Sequence, residues 1–311
     1  MSISYIGKVI PSGAPRWLMG QRLHTPEKEK FKGYTDKGLA WGVVDKSKLS
    51  DIDFLELWPD DKTTTEIPPV VASLPNLKTL IIPSWFVPHL KAEDFPPGLD
   101  ALQVGVLSEN KPKVNWNKAL VLKQIKLLSM GQVESDFYAD SFPGLSNTLV
   151  ITTGNKKLDL SEIAKCQHLK NLFLNKPDTV DAMNQAGAGQ LQFAAWAQGK
   201  NEDFKGLKGY SHLRDAEIKW NKKLVSLEGL EHLPKLEQLD MLGCSKLENL
   251  GDIMKIKSLQ WFRIMECGKA WTAHIDEITD KFTKAGFEKV RFEPDGNYSL
   301  LEVWRKYPPA K

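Results

Sequence analysis

The sequence predicts an α/β solenoid, in which one short strand and one return segment repeat about ten times between two non-repeating ends. Two observations carry that prediction. Leu213, Leu236 and Leu259 each open a stretch of the same form, L-R-D-A-E-I-K-W-N, L-E-Q-L-D-M-L-G-C and L-Q-W-F-R-I-M-E-C, and the steps from 213 to 236 and from 236 to 259 are both 23 residues. Within each stretch two apolar residues flank one polar residue, as in Leu239-Asp240-Met241. That alternation belongs to a strand with one face buried and one in water.

One such unit cannot bury its apolar face alone, so neighbouring copies must stack on a shared core. Asn221, Cys244 and Cys267 close the three stretches where the chain turns away from the strand. A small polar side chain there can bond backbone groups that the turn leaves unpaired. The pattern L-x-x-φ-x-φ-x-x-(N/C), with φ apolar, resembles the leucine-rich repeat. The resemblance implies a horseshoe whose concave, strand-lined face is the usual ligand surface, and it fixes no function by itself.

Taken in order, residues 1–50 do not fit the repeat and are expected to form an N-terminal cap, with Trp17, Leu18, Phe31, Leu39, Trp41, Val43 and Val44 available to cover the exposed core end. Residues 51–270 are expected to hold the repeats, of 22 to 25 residues each, in one continuous domain with a C-terminal cap at 271–311. Counting back from the clear copies gives degenerate strands at Ile52-Leu55-Leu57, Leu77-Leu80-Ile82, Leu99-Leu102-Val104, Leu122-Ile125-Leu127, Leu149-Ile151, Leu169-Leu172-Leu174 and Leu191-Ala194-Trp196. Phe287-Val290-Phe292 is a candidate eleventh copy. Between strands, Ser161 to His168, Leu227 to Leu233 and Leu247 to Ile256 have helical spacing, whereas Ile67-Pro68-Pro69-Val70 and Phe95-Pro96-Pro97-Gly98 should be extended or one turn of 3₁₀ helix. Thr272 to Ala285 reads as an amphipathic helix with Ile275, Ile278, Phe282 and Ala285 on one stripe and Thr272 as N-cap.

Composition narrows the function classes. The chain has 42 basic and 39 acidic residues, a formal net charge of +3, and the two signs are interspersed. Dedicated nucleic-acid binding calls for a stronger or more segregated basic surface, so no nucleic-acid partner is expected. No run approaches the ~18 apolar residues of a membrane span and the start lacks a secretory pattern, which predicts a cytoplasmic chain with no membrane partner. Three cysteines do not make a disulfide framework, and the six histidines show no paired metal-ligand spacing. No catalytic residue, cofactor or metal is predicted.

The candidate site is therefore a binding face. The implied concave surface carries Phe54, Glu56 and Trp58 near the start and is bland through Ala101, Gln103, Gln124, Lys126, Thr148, Val150 and Thr152. Its C-terminal half places aromatics beside charges of both signs: Phe173, Phe193, Glu217, Lys219, Trp220, Gln238, Asp240, Trp261, Arg263 and Glu266 are the predicted partner-binding residues. Aromatics and arginine dominate binding energy at protein interfaces. Trp220 and Trp261 taken singly also fit half-buried sheet residues packed on their neighbours, and it is the cluster that points to binding. The expected function is recognition of another protein in a heteromeric complex, most narrowly as an inhibitor or a stand-alone intracellular immunity protein that neutralises an enzyme or toxin. A scaffold or regulatory subunit is the alternative, and an enzyme with a site around Trp17, Arg22, His24 and Trp41 is a remote one.

Overall fold

A computed structural model describes residues 53–57, 65–67, 69–105, 112–153, 158–187, 189–268, 271–293 and 299–305. The expected N-terminal cap and the alternative site around Trp17, Arg22, His24 and Trp41 lie outside these residues, as do Ile52, Trp58 and the side chains of Phe54 and Glu56. The described chain separates into two compact units that divide between Leu169 and Lys170.

In the first unit, strands β1 (Phe54–Glu56), β2 (Thr79–Pro83), β3 (Ala101–Gly105), β5 (Leu127–Ser135) and β6 (Thr148–Thr152) pair in parallel in that order, and β4 (Lys113–Val114) pairs with the far end of β5. The register aligns Leu55, Leu80, Leu102, Leu128 and Leu149 in one row. All five are buried, and they form the spine of this unit's core. The returns hold 3₁₀ pieces at Pro69–Ser73, Ser84–His89 and Ala92–Asp94; the first begins at Pro69, in the Pro68-Pro69 pair, as expected, whereas Phe95-Pro96-Pro97-Gly98 is a turn outside them.

The fourth copy is corrected by three residues. Leu128 and Met130 hold the buried strand positions, in register with Leu102 and, across β6, with Leu149 and Ile151, so the copy reads Ile125-Leu128-Met130 and not Leu122-Ile125-Leu127. Leu122 belongs to the preceding turn, where its N–H donates to the carbonyl of Ser141 at 2.8 Å. The longer step from Leu99 to Ile125 accommodates β4, and a leucine count alone misplaced it. Gln124 and Lys126 consequently leave the strand face, and Leu127 and Ser129 take their places.

The second unit contains the clear copies. Strands β7 (Asn171–Asn175), β8 (Phe193–Ala197), β9 (Asp215–Lys219), β10 (Gln238–Leu242) and β11 (Trp261–Met265) are parallel neighbours. Leu172, Ala194, Ala216, Leu239 and Phe262 fall in one register row, and Leu174, Trp196, Ile218, Met241 and Ile264 in the next; all ten are buried. The small Ala194 is compensated by Trp196, whose ring lies 5.7 Å from that of Phe204 and 5.4 Å edge-on from that of Tyr210. Tyr210 donates its hydroxyl to the Met183 carbonyl at 2.7 Å, which satisfies the phenol inside the core.

After β11 the chain departs from the expected eleventh copy. Strand β13 (Leu300–Trp304) lies antiparallel against β11, and β12 (Lys289–Glu293) lies antiparallel against β13. Phe287-Val290-Phe292 therefore belongs to a terminal antiparallel pair and not to another parallel turn. The helices of the two units are short: α1 (Ser161–Ala164), α2 (Val180–Ala186) and α3 (Ile275–Lys284). The predicted helical returns after Leu227 and Leu247 shrink to 3₁₀ pieces at Leu230–His232 and Gly251–Lys255. Helix α3 is preceded by a 3₁₀ turn at Thr272–His274, so Thr272 does not cap it, and Phe282 is the buried residue of its stripe. No described helix is long and apolar enough to cross a membrane.

Candidate functional site

The candidate residues sit on the sheet face of the second unit opposite the leucine core, and the parallel register sorts them into rows. Adjacent strands are ~4.8 Å apart, so equivalent side chains touch along each row. The first row runs Asn171, Phe193, Asp215, Gln238, Trp261 and Trp304; the second runs Phe173, Ala195, Glu217, Asp240, Arg263 and Glu302; the third runs Asn175, Ala197, Lys219, Leu242, Met265 and Leu300.

Aromatic packing closes part of this face. Phe193, Ala195, Trp261 and Trp304 form a buried apolar cluster separate from the leucine spine, and Phe173 packs against it with its ring 4.8 Å from that of Phe193. The cluster was only half legible: Phe193 and Trp261 follow from the repeat, but Trp304 lies outside it and reaches the row because β13 pairs with β11 in reverse.

The second row is an ion-pair ladder. Arg263 donates from Nε to Asp240 Oδ1 at 2.8 Å and pairs with Oδ2 through its second nitrogen, the bidentate geometry that a planar guanidinium favours. Its guanidinium also lies 5.3 Å from the Trp261 ring centroid. Trp261 donates its indole N–H to Glu302 Oε1 at 3.0 Å, and Arg291 approaches the other oxygen of that carboxylate at 3.8 Å. Lys219 pairs with Glu217 Oε2, while Glu217 Oε1 has no hydrogen-bond partner among the described residues. Glu302 completes this network; the sequence pattern placed Glu217, Lys219, Asp240, Trp261, Arg263 and Arg291 on the face but gave no sign of Glu302.

Burial divides the ten predicted partner-binding residues. Glu217 and Phe193 are 0% exposed, Asp240 3% and Trp261 7%, so these four form the closed interior of the face and not its open surface. Phe173, Lys219, Trp220, Gln238, Arg263 and Glu266 remain partly exposed. Removal from water pushes the Asp215 carboxyl up to about 7, reinforced by the nearby charge of Glu237 and opposed by Arg214. Burial likewise raises Glu217, with the Lys219 ammonium pulling the other way.

Three of these six, Lys219, Trp220 and Glu266, lie where the strands end. Lys176, Gln198, Trp220 and Glu266 occupy equivalent positions one residue past their strands, and all four are left-handed, with φ of 57 or 58°. Gly243 takes that position after β10 with φ 70°. The repeated conformation keeps the ladder going for one further bond: Lys176 N–H donates to the Ala197 carbonyl at 2.6 Å, Gln198 to Lys219 at 2.6 Å, Trp220 to Leu242 at 2.7 Å and Gly243 to Met265 at 3.0 Å. Gly243 is required for a second reason. A Cβ there would meet the Trp220 ring at 2.1 Å, so the indole lies directly on this glycine.

Below this turn the Asn/Cys position performs its expected work. Asn221 donates to the Asn201 carbonyl at 3.0 Å and accepts from the Lys223 N–H at 3.0 Å. His212 Nδ1 lies 2.6 Å from the Gly189 carbonyl and the residue is exposed. No group of three or more potential metal ligands occurs among the described residues.

No protein-family model matches the chain, and no curated protein matches it. Among solved structures it is similar to an internalin from Listeria monocytogenes, with a TM-score of 0.45 and 16% identity over 76% of this chain and 68% of that one. The repeat itself defines the class at a coarse level: parallel strands, a buried leucine spine and an Asn/Cys turn at steps of 22 or 23 residues make an architecture like that of leucine-rich repeats.

Proposed function

We propose that this chain is a protein-binding module and that the strand-exit margin of the second unit carries the contact. The observation that supports this reading is the grouping of Lys219, Trp220, Leu242, Met265 and Glu266, all partly exposed, along one edge whose backbone is held by consecutive ladder bonds. Such a margin offers an aromatic anchor beside apolar and charged side chains on a rigid frame, the composition that concentrates energy at protein interfaces. The closed ladder behind it, from Phe193 to Glu302, fixes the positions of these side chains and is not itself the contact.

In its narrower form the module acts in the cytoplasm as an inhibitor or immunity protein, forming a heteromeric complex in which occupying the partner is the whole activity. That form rests on analogy with stand-alone repeat proteins. The test compares wild type with a Trp220→Ala, Met265→Ala variant as bait in lysate, after circular dichroism shows both folded. A partner captured by wild type should be lost by the variant and kept by a control altered at the exposed Val121 of the first unit. Retention by all three removes the margin from the interface, and a captured enzyme whose activity is unaffected by the bound chain removes the inhibitor form.

A further inference from the structure

From the hydrogen bond that brings Cys267 Sγ against the Cys244 backbone at the last clear turns, we infer that Cys244 and Cys267 are an oxidation site, at which a hydroperoxide converts the pair to a disulfide that joins adjacent repeats. The inference depends on the geometry of the turns and not on the binding reading.

The two cysteines occupy equivalent positions, each two residues beyond the register pair of Leu242 and Met265. The backbone pairing continues past that pair, because Gly243 N–H donates to the Met265 carbonyl at 3.0 Å and Cys244 N–H donates to Cys267 Sγ at 3.2 Å. Paired strands stand ~4.8 Å apart, inside the ~4.4–6.8 Å window of Cα separations that a disulfide spans. The Cys267 sulfur thus lies against the Cys244 backbone, and both thiols are free.

The environment makes the two sulfurs unequal. The Cys267 thiol donates to Cys244, the Asn221 N–H points at the same sulfur, and together they hold Cys244 below the usual thiol range despite its burial. Cys267 is pushed up by serving as that donor, by burial and by the neighbouring charge. Cys244 is therefore the more readily ionised of the two, the division that a nucleophilic cysteine and its resolving partner need. Cys166 provides an internal contrast: burial pushes its thiol up to about 12, and no second cysteine shares its position.

The chemistry balances with hydrogen peroxide as the oxidant. The Cys244 thiolate attacks one peroxide oxygen, the O–O bond breaks, hydroxide leaves, and Cys244 becomes a sulfenic acid. The Cys267 sulfur then attacks Cys244 Sγ, its proton and the sulfenic hydroxyl depart as water, and the S–S bond forms. Two thiols and one peroxide thus give one disulfide and two waters. Exposures of 0% for Cys244 and 1% for Cys267 select a small oxidant over a bulky disulfide.

The experiment treats the folded full chain with hydrogen peroxide, removes the peroxide, denatures, alkylates and maps the cysteines by mass. The expected result is alkylation at Cys166 alone and one cross-linked peptide pair containing Cys244 and Cys267, lighter than the two reduced peptides by two hydrogens. In Cys267→Ser the sulfenic acid has no resolving thiol and should be captured at Cys244 by a cyclic 1,3-dione. Alkylation at all three cysteines, oxidation confined to Cys166, or separate over-oxidation of Cys244 and Cys267 would overturn the inference, and the wild-type arm decides it even where the serine variant does not fold.

Discussion

At the scale of single residues, Asp215 shows what the sheet face does to a carboxylate. Its neighbours are Glu237, Arg214 and Glu217, and the net effect with burial is a folded-state value of about 7 against the ordinary 3.8. Below the lower value both folded and unfolded chains hold the proton. Between the two values the unfolded chain has lost it and the folded chain keeps it, so unfolding releases a proton and stability falls as pH rises. Above about 7 the penalty is complete. Replacement of Asp215 by Asn, followed by urea unfolding from acid to mildly alkaline pH, should leave the variant increasingly more stable than wild type across that window, with a constant difference above it. A difference independent of pH would mean that Asp215 titrates normally.

The sequence makes the position of such residues legible and hides their state. Glu217, Asp240 and Arg263 could be placed on the face from alternation alone, because strand periodicity decides which way a side chain points. Their closure from solvent could not be placed, since it depends on Trp304 and Glu302, which arrive from an antiparallel strand with no repeat signature. The left-handed turn was equally hidden. Lys176, Gln198, Trp220 and Glu266 share no side-chain chemistry, and among the equivalent residues only Gly243 carries the usual mark of a positive φ.

At the scale of elements, helix α2 was absent from the expectations although its start is written in the sequence. Thr179 accepts from the Ala182 N–H at 3.1 Å and caps it, and the helix packs Met183 and Ala186 into the core. Its seven residues were too few for a periodic stripe to stand out. Thr179→Ala should cost about 1 kcal/mol, measured as a lower urea midpoint with unchanged slope; no change would mean that the cap contributes nothing to the second unit. The strands were legible for the opposite reason. Leucine or isoleucine at steps of 22 to 25 residues marks most of them even where the neighbours vary, and the pattern misleads at the fourth copy, where the β4 insertion shifts the step, and at Phe287-Val290-Phe292, which belongs to the antiparallel pair.

At the scale of the whole chain, each unit repeats one hydrogen-bonded strand and one lightly structured return, so local stability should be periodic in sequence. Hydrogen exchange should find slow amides in β2, β3, β6 and β7 to β11, separated by fast stretches in the returns. Uniform protection across strands and returns alike would contradict a repeat architecture in which the returns contribute little backbone pairing of their own.

The reversed pair β12 and β13 also governs how the ladder ends. A stack of parallel strands presents at its last member a row of unused backbone groups on which another chain can continue the pattern. Here the direction reverses at β13, and the final strand in the order, β12, sets Lys289, Arg291 and Glu293 as its exposed residues, with Val290 and Phe292 only partly open. Because β12 is in turn antiparallel to β13, it runs in the direction of the repeat strands, and what a second molecule's strand meets at this edge is a fringe of charge. The feature that defeated the expectation of an eleventh copy thus doubles as a guard against end-to-end polymerisation.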